Sequence, residues 1–143
     1  MKAMLKSCLV LTLFCLALTA TTTRADEWDK FNGKWTVKKS GNDGGSITQV
    51  IEINKGKFKF SILSASGDVR LYAEGDVKQE KHGPFNALKF HNIKAGASAD
   101  SIESVDEERT VVYQLGEDTL TVAADFDKER ETPPAVDKYT KSK

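Results

Sequence analysis

Beyond residue 15 the chain has no cysteine: its two, Cys8 and Cys15, both lie near the start. The remaining residues therefore offer no disulfide framework and no thiolate metal site. Histidine is nearly as scarce, with His82 and His91 the two present, too few for a zinc centre of recognisable spacing. An excess of one charge is missing as well. Lys and Arg number 21 and Asp and Glu number 21, which excludes the basic surplus of a nucleic-acid binder. No apolar run reaches the roughly 20 residues that a membrane-spanning helix requires. There is no Gly-x-Ser-x-Gly nucleophile motif, no internal repeat and, after the first 25 residues, no sustained helical period.

The start of the chain has a short apolar run. Lys2 and Lys6 precede a stretch of 12 residues from Leu9 to Ala20, and Thr21, Thr22, Thr23 and Arg24 follow it. A basic segment, a short apolar core and small residues at Thr23 and Ala25 form the pattern of a secretory signal peptide. Cleavage is expected after Ala25, with Ala20 as the second choice and an uncleaved anchor as the competing reading. Cys15 follows the bulky Phe14 and Cys8 precedes the apolar run, so neither is placed as a lipid acceptor. Removing residues 1–25 takes away Lys2, Lys6, Arg24 and both cysteines. The expected product, residues 26–143, is a single domain of 118 residues with 18 bases against 21 acids. It is expected to be exported, periplasmic or secreted, with no integral membrane segment.

That domain is rich in strand signals separated by turn residues. Gly33–Ser40 alternates, with Trp35 and Val37 on one face. Ser46–Asn54 places Ile47, Ile51 and Ile53 together, with Gln49 among them. Asn54-Lys-Gly56 reads as a hairpin turn, and Lys57–Ser64 then alternates Phe58, Phe60 and Ile62 against lysine and serine. Val69–Val77, Phe85–Ile93, Arg109–Leu115, Thr119–Asp125 and Asp137–Lys141 complete about eight strands. A helical turn is expected at Asp26–Phe31. The longest loop is expected at Lys94–Ser104, loosened by Gly96, Ala97, Ser98 and Ala99. Short antiparallel strands with one apolar face and no covering helix have exposed edges. Closing into an eight-stranded up-and-down barrel removes them, and a sandwich is the competing fold.

One segment carries a resemblance. Asp26-Glu-Trp-Asp-Lys-Phe-Asn-Gly-Lys-Trp-Thr-Val37 resembles the opening of a lipocalin, a helical turn followed by Gly-x-Trp entering the first strand. The wider match is to a lipocalin-like domain of exported planctomycete proteins. It rests on Gly33-Lys-Trp-Thr-Val37, Ile51-Glu-Ile-Asn-Lys-Gly-Lys-Phe-Lys-Phe60, Val112-Tyr-Gln-Leu-Gly-Glu-Asp-Thr-Leu-Thr-Val122 and the proline-containing stretch before Tyr139. The resemblance implies a barrel whose closed end is plugged by Trp35, with a basic partner from Lys138 or Lys141. The second and third lipocalin signature motifs have no counterpart here, and the family has no established activity to carry over. The resemblance thus implies a fold more than a function.

The inward face is the remaining place for chemistry. Its expected lining comprises Trp35, Ile51, Phe58, Phe60, Leu71, Tyr113 and Leu120, with Val37, Ile53, Val111 and Val122 beside them. Gln49 or Tyr113 would orient a guest. Eight strands enclose either a filled core or one small ligand. The leading expectation is non-enzymatic binding of a small apolar or amphipathic molecule, without cofactor, metal or nucleic acid. A protein-interaction or inhibitor barrel with a filled core is the alternative, with an extracytoplasmic protein as partner. An enzyme in the barrel mouth, using His82, His91 or converging carboxylates, is the third. The acidic group Asp100, Glu103, Asp106, Glu107 and Glu108 lacks the close ligand spacing of a calcium loop and reads as a solvated connection.

Overall fold

The computed structural model describes residues 24–126 and 131–143. The proposed leader, with its cysteines and the alternative cleavage point, lies outside those residues except for Arg24 and Ala25. The described chain opens with helix α1 (Arg24–Phe31) and continues as strands β1 (Gly33–Ser40), β2 (Ser46–Asn54), β3 (Lys57–Leu63), β4 (Val69–His82) and β5 (Phe85–Gly96). It ends with β6 (Ile102–Ser104), β7 (Arg109–Leu115), β8 (Thr119–Ala124) and β9 (Ala135–Lys141). Among the described residues no helix is long and apolar enough to cross a membrane.

Every strand pairs antiparallel with its neighbours, and the ring closes. β1 to β5 form a meander, β5 continues to β7, β8 and β9, and β9 returns to β1. The expected barrel therefore holds and the sandwich does not. Its eight staves need a ninth strand because one stave is broken. β6 pairs with Lys94–Gly96 and β7 with Ala87–Phe90, both on the same edge of β5, with residues 105–108 between them.

Local sequence sets the hairpins. Asn54 and Lys57 close a two-residue turn in which Lys55 and Gly56 have φ of +46° and +83°. Two positive φ values give the twist that matches paired strands. Two expected boundaries are corrected. β4 and β5 run past Val77 and Ile93, because Lys78–His82, too polar to alternate, still pairs with Phe85–Lys89, and Lys94–Gly96 pairs with Tyr72–Glu74. The expected loop over Lys94–Ser104 shrinks to residues 97–101, its two ends being paired strand.

One end of the barrel is sealed from the N-terminal side. Trp35 is fully buried, and its Nε1–H donates to the Phe31 carbonyl at 2.8 Å, satisfying a helix-end acceptor. Phe31 packs edge-on against Tyr113 with centroids 4.9 Å apart. Of the two candidate basic partners, Lys141 lies over the Trp35 ring, its Nζ 5.1 Å from the centroid, and donates to the Lys30 carbonyl at 3.2 Å. Gly33 permits this approach. It has φ of +132°, and a Cβ there would lie 2.9 Å from Lys141 Cε. Asn32 Oδ1 accepts from the Lys55 amide at 2.9 Å and fastens the end of α1 to the β2–β3 turn. The opposite end carries the loops after β1, β3 and β5 and forms the mouth.

Candidate functional site

Above the plug the interior is not filled. A cavity of ≈ 340 Å³ lies between the plug and the mouth. Five of the expected lining residues meet there: Ile51, Phe58, Phe60, Leu71 and Leu120. Trp35 and Tyr113 do not. They belong to the plug, Trp35 donating to the Phe31 carbonyl and Tyr113 packing edge-on against the Phe31 ring. Ile53, Val111 and Val122 line the cavity as well, whereas Val37 packs against the core without reaching it.

The sequence reading missed a second group of lining residues: Ala73, Leu88, Phe90, Ile93, Ala95 and Val105. A β-bulge accounts for part of this. Between Glu74↔Lys94 and Asp76↔His91, β5 contains one more residue than β4, and Asn92 in that interval has φ of +52°. The extra residue shifts the alternation by one, so Phe90 and Ile93 both face the cavity although they are an odd number apart. A strict period of two loses phase there. An Asn followed by a resumed apolar alternation was the available sign.

The polar groups gather at one side and at the mouth. Tyr139, almost fully buried, donates its hydroxyl to Gln49 Oε1 at 2.9 Å. Burial, and then the negative charge of Asp137, pushes the phenol well above its ordinary range, so it remains a neutral donor. Lys39 Nζ lies 2.7 Å from both carboxylate oxygens of Asp137. Arg109 is within 3.3 Å of Glu107 and 3.9 Å of Asp125. Lys39, Gln49, Glu107, Arg109, Asp125, Asp137 and Tyr139 all border the cavity. Lys39 and Asp137 were visible in principle. They continue the inward parity of Trp35–Val37 and of Tyr139, and a charge in an inward position at a strand end marks a barrel mouth.

The other candidates lie elsewhere. His82 is exposed at the β4–β5 tip, its ring 5.3 Å from that of Phe126. His91 pairs in register with Asp76, and neither histidine borders the cavity. Glu108 pairs with Lys89 outside it. Among the described residues no three His, Cys, Asp or Glu side chains come together to hold a metal ion.

A larger concavity of ≈ 570 Å³ lies on the flank formed by β2 to β5, bordered by Glu52, Lys59, Glu74 and Lys94. These four residues are successive cross-strand partners, so charges of opposite sign face one another all along the row. Asp76 beside them is held below the usual carboxylate range, first by the Asn92 amide at 2.8 Å and then by Lys57. This flank is charge-balanced and open. The interior cavity has a mainly apolar wall with its charges toward the mouth, which is closer to the form small-molecule sites take.

No family model, curated protein or solved structure matches the chain. An apolar wall with few fixed polar groups can hold and orient a guest by burial.

Proposed function

We propose that this chain is an exported, lipocalin-like binding protein, non-enzymatic, that holds a small apolar or amphipathic molecule inside its barrel. The observation that carries the reading is the apolar cavity of ≈ 340 Å³ above an intact plug. That volume falls at the lower end of the roughly 300–1,000 Å³ typical of small-molecule sites. Removing about 200 Å² of a guest's apolar surface from water would contribute about 5 kcal/mol at ~25 cal/mol per Å², before the costs of association. Gln49 and the mouth pairs supply orientation. The basic, apolar and small-residue pattern of residues 1–25 supports export.

Native mass spectrometry of the protein taken from its own exported fraction tests the reading. A reproducible added mass that denaturation releases is the expected result. A clean apo mass, even after incubation with a mixed lipid extract, would count against an internal site and favour a partner protein at the loops.

A further inference from the structure

The polar groups around the cavity narrow the class of guest. Both cations bordering it in the described residues are already engaged, Lys39 by Asp137 and Arg109 by Glu107 and Asp125. The bordering charged groups are two bases and three acids, a surplus of one negative charge. A carboxylate entering the mouth would face this surplus. To gain a cation it would also have to take Lys39 from Asp137, whose side chain is only 15% exposed, or Arg109 from Glu107 and Asp125. Stripping the counter-ion from a largely buried carboxylate is unfavourable.

Inside the cavity the available group is a donor. Tyr139 gives its proton to Gln49 Oε1, which fixes the Gln49 amide with its Nε2 left over. That Nε2 has no hydrogen-bond partner among the described residues. A half-buried amide with an unused N–H beside an apolar wall is matched by an oxygen acceptor.

Resting on the binding function proposed above, we infer that the cavity takes an uncharged amphipath whose oxygen accepts a hydrogen bond from the Gln49 amide, and that it discriminates against carboxylates. A guest of this class is an alcohol, ether or ester on an aliphatic or alicyclic body. Neutral heads leave both mouth ion pairs in place, and the acceptor reaches a donor that nothing else uses.

The test uses the full chain and three probes. The neutral dye N-phenyl-1-naphthylamine reports occupancy, and 1-decanol and decanoate compete for it at neutral pH. Decanol is expected to displace the dye at about one-tenth of the concentration decanoate needs, the scale on which an unfavourably placed charge alters binding. Gln49→Leu should weaken decanol about fivefold relative to the dye, through loss of one hydrogen bond. Asp137→Asn should release Lys39 and strengthen decanoate, so that the ratio narrows. If the dye binds and decanoate matches or outcompetes decanol, the head-group inference is wrong while the cavity remains a binding site. If neither the dye nor the competitors bind, the binding function and this inference fail together. The wild-type ratio decides even where a variant folds poorly.

Discussion

Whether the barrel is hollow can be tested by the sign of one stability change. Ala73 on β4 is buried, borders the cavity, and pairs in register with Phe60 and Ala95, which border it too. Ala73→Leu adds three carbon atoms to that wall. Burying them at about 0.8 kcal/mol each would stabilise the fold by ~2.4 kcal/mol. The lost rotamer freedom of leucine takes back about 0.5–1 kcal/mol. The net expectation is about 1.5 kcal/mol of added stability, or roughly 5 °C in Tm for a domain of this size. If the same space were packed at ordinary protein density, the substitution would overpack the core and cost about 1–3 kcal/mol. The two cases differ in sign. Thermal unfolding followed by circular dichroism measures the change, and dye fluorescence should show lost occupancy in the variant. A fall in Tm of several degrees would refute the hollow interior and the binding reading that depends on it.

Three further outcomes follow from individual contacts. Tyr139→Phe keeps the ring but leaves Gln49 Oε1 without its donor, and should cost about 1 kcal/mol in chemical denaturation. Lys141→Met keeps an apolar stem over Trp35 but removes the cation. It should cost about 0.5–1 kcal/mol and shift the tryptophan emission, whereas Lys138→Met should do neither. Asp76 has a depressed folded-state pKa, so its favourable contribution is present above the unfolded value of about 3.9 and is lost as pH falls through the lower folded value. Asp76→Asn should therefore flatten part of the stability loss in that acid window and leave the slope above pH 6 unchanged. An acid-denaturation series on both proteins measures it.

Much of the architecture was legible in the residues. Gly33–Ser40, Ser46–Asn54 and Arg109–Leu115 form strands residue for residue, because each alternates cleanly and ends at a turn signal. The alternation also placed Ile51, Phe58, Phe60, Leu71 and Leu120 on the cavity wall. It could not tell which residues of that inward face the helix would take into the plug. Trp35 and Tyr113 share that face but are taken into the plug, and only the packing of α1 shows this. Alternation also fails where the chain breaks its own period. The bulge at Asn92 hid Phe90 and Ile93, and the interruption at residues 105–108 made one stave look like a loop followed by a strand. Lys39 and Asp137 were passed over for a different reason. They read as ordinary surface charges until the register of the barrel brings β1 and β9 together.

That seam is where fold and site become inseparable. β1 meets β2 over eight residue pairs but meets β9 over only two, Trp35↔Lys141 and Thr36↔Thr140. Below these pairs the Ser142 amide still reaches the Lys34 carbonyl at 2.8 Å. Above them, at the level of the cavity, side chains carry the closure: Tyr139 reaches across to Gln49, and Lys39 to Asp137. The groups inferred to read the guest's head are thus the same groups that hold the barrel shut beside it. A neutral acceptor can use the remaining Gln49 N–H without disturbing either bridge. A competing carboxylate that turned to Lys39 would have to part the second of them. Selectivity against that head group would then come in part from the barrel's own closure, since a guest that draws on Lys39 loosens the seam.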